Sequence, residues 1–113
     1  MKKESEAILL RIFIGESDRY GGKPLHKYLV DMFRKEGLSG VTVLRGIEGY
    51  GKTSKMQTTS ILRLSTDLPI VVEVVDIAER IEQIKPKLED IVKQGLITQE
   101  KVKIIKYEGT KKE

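Results

Sequence analysis

The sequence predicts an α+β fold in which a four-stranded antiparallel sheet carries two helices on one face. Three observations predict it. Residues 24–36 and 77–93 repeat apolar side chains at helical spacing. Short apolar or β-branched runs at 7–14, 41–45, 68–75 and 101–107 have the length of strands. Their order is strand, helix, strand, strand, helix, strand, which is the split βαβ or ferredoxin-like arrangement, βαββαβ. Each helix has a single apolar face, so both can cover the same side of one sheet.

Taken in order, AILLRIFI (7–14) is apolar except for Arg11, and its isoleucines favour a buried strand. GESDRYGGK (15–23) is rich in turn formers and reads as a loop. Pro24 stands where a first helical residue belongs. Leu25, Leu29, Met32 and Phe33 then share one helical face, and Gly37 supplies the stop. VTVLR (41–45) is β-branched and short, a second strand. LPIVVEVV (68–75) is a third, with Pro69 near its start, where proline is tolerated.

Asp76, with Glu79 three residues on, has the form of an N-cap and its returning carboxylate. Ile77, Ile81, Ile84, Leu88 and Ile91 carry the second helix, which Gly95 ends. Pro86 lies inside it, where it removes a donor and crowds the preceding turn. The continuous apolar phase favours a kink there over a break. KVKIIKY (101–107) is the last strand, and 108–113 reads as a flexible tail.

Composition bounds the function. The chain has 113 residues, enough for one domain over 1–113, with 34% charged and 39% apolar residues. It has no cysteine and a single histidine, His26, so thiolate chemistry and a histidine-based metal cluster are excluded. No apolar stretch reaches membrane-spanning length. The start, MKKESEAILL, reads poorly as a signal peptide, which leaves a cytoplasmic location as the default. The net charge of +4 comes from scattered basic residues with few aromatics, unlike a nucleic-acid surface. A small anion remains a fitting partner.

GIEGYGKTS (46–54) matches the P-loop pattern through Gly46, Gly51, Lys52 and Thr53, and IVVEVVD (70–76) resembles a Walker B strand. A P-loop also needs a helix starting at its Lys-Thr pair. In KTSKMQTTSIL (52–62) the apolar residues make no stripe, and Thr58, Thr59 and Ser60 are poor helix formers. Two helices are also too few for a sheet covered on both sides. The segment reads instead as a mobile loop over about 52–64. Its glycines can bring backbone amides close to an anion, with Lys52 adding charge. Alternatively, Gly46, Gly49 and Gly51 only shape a bent strand.

Three stretches together resemble the PII-like family of small bacterial and archaeal proteins, distant relatives of the PII nitrogen-signalling proteins. They are IGESDRYGGKPL, GLSGVTVLRGIEGYG and SILRLSTDLPIVVEVVD, and the resemblance spans about 8–106. It implies a homotrimer of ferredoxin-like subunits. It implies an adenine nucleotide, ADP or ATP, as a bound effector in the cleft between subunits, with no obligatory cofactor. The mobile loop would then dock on a partner protein. The resemblance puts Gly49, Tyr50, Gly51 and Lys52 at the loop base that helps hold the nucleotide, and Lys101 remains from a second phosphate loop; Gly46, Glu48 and Thr53 beside the loop base complete the expected ligand-binding set.

The sequence also departs from the PII pattern. GLITQEKV (95–102) carries Thr98 and Glu100 where that second loop has glycines, and Ile70 replaces a lysine after Leu-Pro. The C-terminal part has lysines in place of phosphate-binding arginines. A nucleotide with fewer phosphates, or another small anion, fits as well as a triphosphate.

Other residues offer less. Glu16, Asp18, Arg19 and Lys23 could line a ligand cleft or cap the first helix, but without a partner constellation they read as a plain surface turn. Glu48 and Glu73 lack the positions of an acid–base pair, and Glu73 interrupts its strand by facing solvent or a subunit contact. With no catalytic constellation, the reading is a non-enzymatic regulator. A minimal P-loop nucleotide hydrolase and a ligand-free structural trimer are the alternatives.

Overall fold

A computed structural model describes residues 4–51, 57–58 and 67–107. The elements are β1 (Ser5–Gly15), β2 (Arg19–Tyr20), β3 (Lys23–Pro24), α1 (Leu25–Lys35), β4 (Val41–Arg45), β5 (Glu48–Gly49), β6 (Gln57–Thr58), β7 (Pro69–Asp76), α2 (Ala78–Ile91) and β8 (Leu96–Ile104). The main sheet has the order β4-β7-β1-β8, and every neighbouring pair is antiparallel. This is the ferredoxin-like arrangement expected from the sequence. Two small ribbons, β2–β3 and β5–β6, are added to it.

The pleat decides which side is buried. Side chains two apart on a strand share a face. Ile8, Leu10, Ile12 and Ile14 of β1 join Ile70, Val72 and Val74 of β7 in one buried cluster. Leu25, Leu29, Met32 and Phe33 of α1 and Ile81, Ile84, Leu88 and Ile91 of α2 complete it. Both helical stripes therefore meet one strand face, which places both helices on the same side.

The first helix begins one residue later than its sequence suggests. Pro24 is extended, with φ −55° and ψ 136°, and pairs with Arg19 in the β2–β3 ribbon. The Leu25 amide donates to the Asp18 carbonyl at 2.7 Å. The segment expected as a plain loop thus holds a two-residue hairpin that uses up Pro24. Gly37 stops the helix as expected. Its amide bonds to Arg34 O and that of Leu38 to Phe33 O, the paired bonds of a Schellman ending.

Asp76 is not the N-cap. That position belongs to Ile77, which makes no side-chain cap bond. The Asp76 carboxylate, 5% exposed, instead accepts the Ser39 amide at 2.9 Å and the Ile77 amide at 2.7 Å. It ties the turn before β4 to the start of α2. The helix runs unbroken through Pro86. It ends at Ile91, before Gly95.

The last strand starts five residues before the expected 101, because Leu96 to Ile104 all pair with β1. β8 is an edge strand, mostly exposed, so Thr98, Gln99, Glu100 and Lys101 give no apolar alternation to read. Residues 105–107 leave the sheet. The Tyr107 hydroxyl donates to Ser39 O at 3.1 Å.

Candidate functional site at the glycine-rich strand end

β4 ends at Arg45, and the chain stays tied to β7 for one more residue. The Gly46 amide donates to the Pro69 carbonyl at 2.7 Å. Beyond it the chain forms the β5–β6 ribbon, with Glu48 opposite Thr58 and Gly49 opposite Gln57. Gln57 and Thr58 would fall in the second turn of a helix begun at Thr53, so their strand pairing does not fit a P-loop helix.

Two of the glycines have a packing reason to be glycine. A Cβ on Gly46 would stand 2.8 Å from Pro69 Cγ, and one on Gly49 3.1 Å from the same atom. The proline ring occupies the space that a side chain needs. Gly51 is exposed, as is Glu48. Ile47 and Tyr50 are 77% and 75% exposed, so both large side chains stand clear of the rest of the described chain.

Acidic side chains organise the neighbouring loops. Arg45 Nη2 lies 2.5 Å from Glu16 Oε2. Asp67 Oδ1 accepts the Ser17 amide at 2.7 Å, and Asp18 Oδ2 accepts the Gly15 amide at 2.9 Å. The Glu16 amide donates to Leu68 O at 2.8 Å. The Asp67 carboxylate and the Glu16–Leu68 backbone bond join the 15–18 and 67–69 segments, Asp18 closes its own turn, and Glu16 ties that turn to the end of β4. Glu16, Arg45, Asp67 and Pro69 were not among the expected site residues. Finding them requires the pairing of β7 with both β1 and β4, which no local pattern states.

Gly46, Glu48, Gly49, Tyr50 and Gly51 are contiguous at one end of the sheet. Lys52 and Thr53 lie outside the described residues, as do the rest of the 52–64 loop apart from Gln57 and Thr58 and the tail 108–113. Lys101 sits on the opposite edge strand, opposite Ile8, while Ile8 faces Asp76 at the far end of β7 from Pro69. Three strand spacings and seven residues of rise separate it from Gly46, about 27 Å. One chain does not bring Lys101 to the glycine-rich segment. GLITQEKV, the place of the second phosphate loop in the resemblance, is mostly regular strand here. Among the described residues no group of His, Cys, Asp or Glu is placed to hold a metal ion.

Residues 7–104 match the family described as DUF190, Uncharacterized ACR, COG1993. The chain belongs to this family. Over 101 residues it is 44% identical to a UPF0166 protein of Aquifex aeolicus (strain VF5), covering 86% of this chain and 91% of that one. A UPF0166 protein of Methanocaldococcus jannaschii is 40% identical over 93 residues, covering 81% and 85%. Among solved structures, the chain resembles CPII, a nitrogen regulatory PII-like protein from Thiomonas intermedia K12, solved bound to ADP, AMP and bicarbonate. The TM-score is 0.67 at 12% identity, over 90% of this chain and 98% of that one. This likeness bears out the PII-like fold of the DUF190 chain. No helix among the described residues is long and apolar enough to cross a membrane.

Proposed function

We propose that this chain is a PII-like regulatory subunit that assembles as a homotrimer in the cytoplasm. It binds an adenine nucleotide or similar small anion between subunits, near residues 46–53. The segment 52–64 relays occupancy to a partner protein. The observation that carries this reading is the exposure of Tyr50 and Ile47 on a glycine-flanked ribbon. Their exposed faces would form one wall of a cleft, and among the described residues none covers them as a second wall. A neighbouring copy would provide it and would bring a residue such as Lys101 within reach. The fold shared with CPII, solved with ADP and AMP, supports a nucleotide as the ligand class.

Calorimetry of the assembled protein against ATP, ADP, AMP and cyclic nucleotides tests the proposal. Binding of at least one, weakened at least tenfold by Tyr50→Ala, is expected. No heat with any of them removes the nucleotide from the account. The ligand-free trimer is the second reading, favoured by the Pro69 ring against Gly46 and Gly49. Under it, the glycines serve packing alone.

A further inference from the structure

A cleft of about 410 Å³ opens between the β2–β3 ribbon, α1 and α2. That is the size of a small-molecule pocket, about 300–1,000 Å³. Gly21 and Gly22, at φ +60° and +82°, make the tight turn that sets Tyr20 opposite Lys23. Tyr20 meets Tyr28 of α1 edge to face, with ring centroids 4.7 Å apart and planes at 68°. Tyr28, Met32 and Lys35 follow at spacings of four and three, so one face of α1 lines the cleft. Ile91 adds apolar surface from α2. The lining also carries three lysines and three carboxylates, which leaves it neutral overall. Two pairs of them brace the walls. Lys23 Nζ donates to Asp31 Oδ2 at 3.0 Å, joining the ribbon to α1, and Lys87 Nζ donates to Glu36, joining α2 to the end of α1. The third cation and the third carboxylate are left open. Among the described residues Lys35 makes no hydrogen bond or ion pair, and it acts on Asp31 through its charge alone. Asp90 meets Lys93 at 3.7 Å, too far for a hydrogen bond. The hydroxyls of Tyr20 and Tyr28 make no hydrogen bond among the described residues.

We propose that this cleft binds a small zwitterion, an α-amino acid with an apolar side chain, whose carboxylate bonds to Lys35 and whose ammonium bonds to Asp90. A lone anion would meet Asp31, Glu36 and Asp90, and a lone cation would meet the three lysines. A ligand carrying both signs answers both sets. Charge-assisted hydrogen bonds hold its two ends. The tyrosine hydroxyls can donate to the same carboxylate. The Tyr20 and Tyr28 rings, Met32 and Ile91 offer its side chain an apolar surface. Lys35 and Asp90 are both exposed, so neutralising either leaves the core packing intact. The cleft shares no residue with the glycine-rich segment 46–53. The inference therefore goes beyond the nucleotide reading and does not rest on it.

Amide NMR titrations of the full chain with L-phenylalanine and with L-leucine decide the matter. At least one of them should saturate the protein below about 10 mM. The shifts should centre on Tyr20, Tyr28, Lys35 and Asp90. N-acetyl-L-phenylalanine lacks the ammonium and L-phenylalaninamide lacks the carboxylate. The corresponding blocked forms of whichever amino acid binds should bind about tenfold more weakly or worse, the loss of one charge-assisted hydrogen bond. Lys35→Gln and Asp90→Asn, verified as folded by circular dichroism, should show the same weakening with the free amino acid. If either variant does not fold, the blocked ligands make the same test on the wild-type chain. Saturation by neither amino acid overturns the proposal. So do blocked forms that bind as tightly as the free amino acid, folded variants that bind as tightly as wild type, and shifts centred on residues outside the cleft.

Discussion

Gly46→Ala tests the strand-end geometry most sharply. The added Cβ would lie 2.8 Å from Pro69 Cγ. Carbon atoms in contact prefer about 3.5–4.0 Å, so about 0.7–1.2 Å must be recovered. The backbone cannot retreat freely, because the Gly46 amide is bonded at 2.7 Å to the carbonyl of the same Pro69. Overpacking of this kind costs about 1–3 kcal/mol. For a chain of this length the melting temperature should fall by about 4 °C per kcal/mol, so by about 4–12 °C.

Pro69→Ala removes the offending Cγ. The next Pro69 atoms, Cβ and the carbonyl oxygen, would both be 3.5 Å from the new methyl, an ordinary contact. Thermal melts of both single variants and the double variant form a cycle. The double variant should recover most of the Gly46→Ala loss. Gly46→Ala melting like wild type, or a double variant with fully additive losses, would refute the reasoning.

Three further outcomes are expected. Asp76→Ala should cost about 2–4 kcal/mol in urea denaturation, because two amides lose a charged acceptor at a nearly buried site. Gly95→Ala should destabilise by about 1–3 kcal/mol in the same assay, since φ is +154° and the Cβ would meet Phe13 O at 2.7 Å. Asp31 has its pKa lowered, first by its hydrogen bond from Lys23 and then by that charge. Its contribution to stability is therefore present above the unfolded-state pKa and lost as pH falls through the lower folded-state value. Thermal melts from neutral to acid pH should show that loss in wild type, small at so exposed a pair, and not in Asp31→Asn.

How much the sequence disclosed depended on burial. Strands β1 and β7 and both helices are buried on one side, so Leu29, Phe33, Ile81 and Leu88 announced themselves by spacing. The start of β8 did not, because an edge strand with water on most of its surface has no apolar period. Asp76 was legible as a carboxylate next to a helix start. Its bond to Ser39 was not, since it joins residues 37 apart. The same limit hid Pro69. GIEGYG shows its glycines, but only the β4–β7 register shows the ring that two of them accommodate. The separation of Lys101 from Gly46 is likewise a property of strand order, which βαββαβ counting alone does not fix.

The central claim is that copies of this chain hold an adenine nucleotide between them at the glycine-rich strand end. A crystal structure grown with ADP tests it most directly. The account predicts a three-fold assembly with the nucleotide between two chains, its phosphates beside Gly49–Lys52 of one of them. Clefts without nucleotide in crystals at saturating ADP, or ADP bound wholly within one chain, would contradict it.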